Sequence, residues 1–247
     1  MERSRRLFQF RSEWRPFFSY SLHLALVCFA SRPFGISCCE DGDAAGQARN
    51  EPRKLKAKMN VMIYLIGGAP RVGKTILCQQ IARRLGIGWI STDIVHDLLR
   101  LTNVEGIKHE WNAAPSAVVQ SAEWFFPYLQ RLVWGISKMA EAYVIEGVAF
   151  LPEHVARLAM DFQVRAVFVG SSQMTLEKLD KYPGMSRGYG ELPEAHRRQI
   201  AGDVPLWSQF IRDESQRFGY PYVDTGEHFT QRLQESERIL LGGERPA

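Results

Sequence analysis

Eight consecutive residues carry the clearest chemistry in this chain. Gly68, Ala69, Pro70, Arg71, Val72, Gly73, Lys74 and Thr75 read G-x-x-x-x-G-K-T, a spacing that cradles phosphate. A loop that binds phosphate must turn its own N–H groups inward. Glycine permits this because it tolerates positive φ and close backbone approach. The helix that follows aims the positive end of its dipole at the same anion. In this pattern the Lys74 ammonium reaches the β- and γ-phosphates of a nucleotide, and the Thr75 hydroxyl holds Mg2+.

Two carboxylates stand where such a loop needs them. Gly88-Trp89-Ile90-Ser91-Thr92-Asp93 reads as a short strand ending in a polar turn, with Ser91 or Thr92 capping a helix over 93–101. Asp93 then lies at the carboxyl end of a strand, where open parallel sheets bind ligands. Asp97 and Arg100 share its helix face by spacing and read equally well as a surface pair. Tyr143-Val144-Ile145-Glu146 is a second short β-run with an acid at its end. Glu146 there would hold Mg2+ through water or orient a phosphoryl acceptor. Further on, Lys178, Lys181, Gly184, Arg187, Gly188, Gly190, Arg197 and Arg198 form a charged, glycine-punctuated stretch. It reads as a lid over about 180–213 that brings an arginine to the moving phosphoryl group, Arg187 first, or as a solvated charged helix.

The surrounding pattern supplies the elements that must position these groups. Val61–Ile66 is a short apolar run rich in β-formers, which predicts a buried strand before the loop. After the loop, Leu77, Ile81 and Leu85 recur at helical spacing and Gly86 ends the helix. Ile94, Val95, Leu98 and Leu99 give the next helix a buried side. A long apolar-periodic helix is predicted over 116–141, with Val118, Val119, Ala122, Phe125, Phe126, Leu129, Leu132, Val133 and Ile136 inward. Pro127 should kink or divide it. Trp111, Trp124 and Trp134 read as core or pocket wall. Two more strands are expected at 164–170 and 220–224, and Asp224-Thr225-Gly226 after the last is a candidate edge of a base pocket. Strands alternating with helices predict an α/β fold with a five-stranded parallel sheet covered on both faces.

The bulk numbers narrow the partners. The chain has 247 residues and a net charge of +4. Residues 1–58 carry 11 Lys+Arg against 6 Asp+Glu, which leaves 20 against 21 in the remainder. The basic character therefore belongs to the first 58 residues, and the near-neutral body argues against a nucleic-acid footprint. Of the four cysteines only Cys78 lies in the body, in a spacing that suggests neither a zinc site nor a disulfide framework. Residues 1–58 read as an extension outside the fold, disordered or belonging to a start placed too far upstream. A targeting signal is a second reading. A membrane anchor is a third, disfavoured because the apolar run 17–30 is shorter than the ~20 residues of a span. Residues 59–247 form the catalytic body. Its nucleotide would be ATP, which points to the cytoplasm.

The combination of Gly67-Gly68-x-Pro70-x-x-Gly73-Lys74-Thr75, Ile90-Ser91-Thr92-Asp93, Arg100 and Val144-Ile145-Glu146-Gly147-Val148 with Leu151-Pro152 resembles small P-loop kinases of metabolites. The nearest likeness is to the 2-phosphoglycerate kinase group, with zeta toxins and chloramphenicol phosphotransferase as wider relatives. The likeness spans about residues 60–240. It implies a P-loop NTPase-type sheet ordered as in adenylate kinase, a helical lid, and ATP with Mg2+. It also implies transfer of the γ-phosphate to a hydroxyl of a small anionic metabolite. On that resemblance Asp93 positions the acceptor hydroxyl or takes its proton, and Arg100 binds the acceptor's charge. A toxin-like or antibiotic-modifying kinase shares this chemistry. A nucleotide switch without transfer is the remaining alternative, and the body lacks the N-K-x-D and D-x-x-G elements of such GTPases.

Overall fold

A computed structural model describes residues 59–101, 114–181 and 189–242, all within the compact unit Lys54–Ala247. Residues 1–58 lie outside the described residues, as do Trp111 and Arg187. Among the described residues the chain alternates strands and helices. They are β1 (Met59–Gly68), α1 (Lys74–Leu85), β2 (Gly88–Ser91), α2 (Thr92–Leu101), α3 (Pro115–Met139), β3 (Tyr143–Glu146) and α4 (Pro152–Ala159). Then follow β4 (Phe162–Gly170), α5 (Leu176–Lys181), a 3-10 turn at Tyr189–Glu191, α6 (Glu194–Phe218), β5 (Tyr222–Asp224) and α7 (Phe229–Leu240).

The five strands form one sheet in the order β2-β3-β1-β4-β5, and every pairing is parallel. Parallel neighbours require crossover connections, which run right-handed. The first connection therefore carries α1 over one face, and the connections running the other way carry α3, α4 and α6 over the opposite face. The packing agrees. α1 touches α7, α4 touches α6, and both α4 and α6 lie on β4. Burial on both faces explains why β1 and β4 read as near-continuous apolar runs. Ile63, Leu65, Ile66, Val167, Phe168 and Val169 are each fully buried.

Several sequence expectations change at this level. The long helix is a single element, with Pro127 inside it and not dividing it. Its apolar stripe is buried as expected at Val118, Ala122, Phe125, Phe126, Leu129, Val133 and Ile136, whereas Val119 faces solvent. Trp134 is not part of the core. It is 40% exposed, with the Arg131 guanidinium 4.0 Å and the Lys138 ammonium 5.5 Å from its ring centre, so cations cover the ring that the core does not. α2 is turned from the expected face. Ile94 and Leu98 are exposed, while Val95 and Leu99 pack against the core on the side where the His96 ring stacks on Phe125 of α3 at 4.4 Å. The stretch expected as a lid divides. Val204, Trp207 and Ile211 of α6 belong to the main core, while Leu179, Tyr189 and Ala201 make a separate small cluster. Residues from Val204 onward are therefore part of the body and not of a lid.

α4 is locked at its start by a buried histidine. The Leu151 N–H donates to His154 Nδ1 (3.1 Å), which leaves the ring proton on Nε2, 3.1 Å from Glu123 Oε1 on α3. Arg157 donates to both oxygens of the same carboxylate at 2.9 and 3.0 Å, and its guanidinium lies 3.8 Å above the Phe126 ring. Burial holds the His154 pKa below its ordinary value against the pull of Glu123. For Glu123 burial pushes the pKa up, and the hydrogen bonds from Arg157 and His154 outweigh it, so the carboxyl titrates below its usual range. This lock ends the loop that begins at Glu146.

Candidate functional site

The phosphate-loop sequence forms the turn its composition predicts, at the carboxyl end of the central strand. Gly68 has φ +128, and a Cβ there would overlap the Val169 carbonyl oxygen of β4. The loop therefore lies flush against the neighbouring strand, and the Ala69 N–H donates to Val169 O at 3.1 Å. Gly73 has φ +96 and begins α1. A Cβ on Gly73 would stand 2.7 Å from the Phe229 ring and 3.2 Å from Leu233, so α7 packs directly on the loop. Arg71 adopts a left-handed φ of +63, a conformation that costs an ordinary L-residue ~1–2 kcal/mol.

Lys74 is buried and its ammonium donates to Ala69 O of the same loop at 2.6 Å. Burial lowers its pKa, and the nearby Glu146 opposes that shift. Thr75 donates its hydroxyl to Glu146 Oε1 at 3.1 Å, across 71 residues of sequence. Glu146 is itself buried, at 2% exposure. The pairing arises because β3 lies beside β1 with Ile66 opposite Glu146, so the two strand ends present loop and acid together. Thr75 and Glu146 supply hard oxygen donors, which suits Mg2+. Among the described residues no group of three His, Cys, Asp or Glu could hold a metal. Two protein oxygens completed by water and phosphate oxygens are what Mg2+ prefers over an all-protein cage.

Asp93 sits in the first turn of α2, exposed, and its N–H donates to Ser91 Oγ at 3.3 Å. Ser91, not Thr92, therefore caps this helix. The Thr92 side chain is fully buried against Gly147, where a Cβ would overlap its Oγ1. The contact joins the residue before Asp93 to the residue after Glu146. Asp93 attracts both Arg71 and Lys74, so the three charges share one region. Arg100 lies on α2, but its side chain is outside the described residues, as is all of Arg187.

The loop after β5 does something its sequence did not reveal. The Thr225 hydroxyl lies 3.1 Å from Val72 O of the phosphate loop and 3.0 Å from Gly170 O at the end of β4, and its N–H donates to Gly170 O at 2.7 Å. Asp224 accepts from the N–H groups of Ser172 and Gly226, and the Lys178 ammonium donates to Gln173 O and Gly226 O. The three loops at this end of β1, β4 and β5 are thus tied together. Asp224 and Gly226 are ordinary turn signals, and nothing in them distinguishes a tether. Cys78 is buried on α1, and burial pushes its thiol pKa up, which favours the thiol over the nucleophilic thiolate.

No protein-family model matches this sequence, and no curated protein matches it. Among solved structures the chain is similar to a gluconokinase from Sinorhizobium meliloti 1021, at 16% identity and a TM-score of 0.43, covering 74% of this chain and 93% of that one. It is also similar to a shikimate kinase from Bacteroides thetaiotaomicron, at 15% identity and a TM-score of 0.42, covering 73% and 95%. A shikimate kinase from Acinetobacter baumannii in complex with shikimate gives 14% identity, a TM-score of 0.43 and coverage of 73% and 93%.

Proposed function

We propose that this chain is an ATP-dependent phosphotransferase that moves the γ-phosphate to a hydroxyl of a small molecule. The observation that carries this reading is the Thr75–Glu146 hydrogen bond at the foot of a phosphate loop whose lysine is buried. A glycine-rich turn kept only for its shape would have no use for a buried carboxylate on the next strand. Lys74 and the loop amides hold the phosphates. Thr75 and Glu146 hold Mg2+, which when bound offsets the charge of the phosphate oxygens. Asp93 takes the proton of the acceptor hydroxyl. The hydroxyl oxygen bonds to the γ-phosphorus, the bond from that phosphorus to the β–γ bridging oxygen breaks, and ADP leaves with the electron pair.

The acceptor is placed by α2. Asp93 attracts the loop's cations Arg71 and Lys74, and Arg100, two helical turns further on, would bind an anionic group on the same molecule. A small 2-phosphoglycerate-like metabolite fits that division of roles. Residues 59–247 form the kinase body. Its lid begins near residue 180 and ends where α6 enters the core, and Arg187 within it would close over the γ-phosphate. The near-neutral body suits a small-molecule acceptor and not a nucleic acid. Among the described residues no helix is long and apolar enough to cross a membrane, and a need for ATP points to the cytoplasm.

The test is transfer of labelled γ-phosphate. The full chain, ATP and Mg2+ are incubated with a metabolite extract, and new phosphorylated species are identified by mass spectrometry. A product that disappears with Asp93→Asn establishes the kinase and names its acceptor. Lys74→Ala should lower turnover by the worth of a preorganised charged donor, ~3–4 kcal/mol or two to three orders of magnitude. Wild-type turnover in Lys74→Ala would sink the proposal.

A further inference from the structure

Arg71 carries chemistry beyond that of a loop residue. It occupies a left-handed backbone position, φ +63, between Gly68 and Gly73. Glycine fits that conformation without cost, so a large charged side chain is held there by its surroundings. Those surroundings are specific. The guanidinium carbon lies 4.3 Å from the centre of the Tyr189 ring. Tyr189 is 1% exposed, and its hydroxyl lies 3.4 Å from Asp180 Oδ1. The same carboxylate oxygen takes the Arg197 guanidinium at 2.6 Å. Asp180 and Arg197 therefore fix the tyrosine, and its π-face fixes the arginine. The platform comes from α5, the 3-10 turn and the first half of α6, which form the small cluster apart from the main core.

The position of the charge decides what it can do. Arg71 stands in the same loop as Lys74, repels it and is attracted to Asp93, so the three charges share the region of the loop. An anion entering that space relieves the repulsion between the two cations. Arginine stays charged at any working pH and presents a planar fork suited to phosphate.

We propose that Arg71 contacts the terminal phosphoryl group of the bound nucleotide and stabilises it during transfer, and that Tyr189 is the positioning residue that holds it there. This rests on the phosphotransfer reading above. The phosphate loop itself thus supplies a second cation in addition to the buried Lys74.

The experiment measures affinity of the full chain, with Mg2+, for ADP and for the ATP analogue with an imido group at the β–γ bridge. Titration calorimetry serves for both ligands. Arg71→Ala should weaken the analogue roughly 10–100-fold, the worth of a charge-assisted contact, and leave ADP within about threefold. Arg71→Lys should restore part of the loss. Tyr189→Phe keeps the ring face but loses the contact to Asp180, and should weaken the analogue less than Tyr189→Leu does. Tyr189→Leu should match Arg71→Ala on the analogue, and the double variant should be no worse than Arg71→Ala alone. Circular dichroism confirms that each variant is folded. Equal weakening of ADP and analogue in Tyr189→Leu, or additive losses in the double variant, would mean that Tyr189 merely supports the fold and would overturn its assignment. An unchanged analogue affinity in Arg71→Ala would overturn the arginine's role while leaving the kinase reading intact. Failure of the wild type to bind either nucleotide would bring down both.

Discussion

Replacing Thr225 by valine should loosen the phosphate loop without touching a phosphate-binding atom. Valine keeps the shape of threonine and removes the hydroxyl that reaches Val72 O and Gly170 O. Gly170 O still accepts the N–H of residue 225, so the loss falls on Val72, whose residue is 1% exposed. A buried carbonyl deprived of its partner costs about 1–3 kcal/mol. The extra buried methyl returns at most ~0.8 kcal/mol. A net loss of roughly 1–2 kcal/mol remains, and for a chain of this size it lowers Tm by about 2–8 °C. Val72 is joined by its carbonyl to Gly73, whose φ of +96 opens α1 towards the phosphates. Binding must then restore a geometry that Thr225 holds beforehand, so ADP affinity should fall roughly 5–30-fold, the same free energy expressed as binding. Thermal unfolding and ADP titration of Thr225→Val and Thr225→Ser measure both effects, and the serine should behave as wild type. Lower stability with unchanged ADP affinity would refute the claim that Thr225 organises the loop. No change in either would show that its hydrogen bond contributes nothing.

Three further outcomes follow from the same contacts. Glu146→Gln should reduce the Mg2+ dependence of nucleotide binding, at a cost of about 10–100-fold in apparent metal affinity as for other residues that orient a metal's shell; Mg2+ titration at fixed ADP reads this directly. Gly147→Ala places a Cβ over Thr92 Oγ1 and 2.8 Å from Thr92 Cβ, so urea unfolding should show a loss of roughly 1–3 kcal/mol from overpacking, and transfer activity should drop as Asp93 moves with Thr92. The pH dependence of stability should carry the mark of His154. Its folded pKa lies below the ordinary value of 6.5, so the unfolded chain takes up the proton first and stability falls as pH drops below about 6.5. Glu123, also shifted down, adds a loss at lower pH, as its carboxylate is protonated through its folded pKa. His154→Phe should flatten the first of these two declines in urea midpoints measured between pH 8 and 5.

Much of this molecule was legible locally. The phosphate loop, the strand before it and the helix after it follow from residues within a few turns of one another. Glycine conformational freedom and helical spacing act over that range. Asp93 and Glu146 could be assigned to strand ends for the same reason. The face of α2 could not. Ile94 and Leu98 are as apolar as Val95 and Leu99, and the packing of α2 against α3, with His96 stacked on Phe125, chooses between them. Trp134 likewise fits an apolar stripe by composition, yet it lies at the solvent edge under two cations.

The amino-acid sequence by itself determined that a phosphate-binding turn would form, and which acids and bases were available to it. The tertiary structure decided which of those groups meet. Thr75 reaches Glu146 because β3 inserts next to β1. Thr225 reaches Val72 across 153 residues because β5 closes the far edge beyond β4. Arg71 finds Tyr189 because the 3-10 turn that carries the tyrosine lies against the loop. Each of these contacts depends on strand order and crossover direction. Those are properties of how whole elements pack to bury their apolar faces, and no local spacing of residues encodes them.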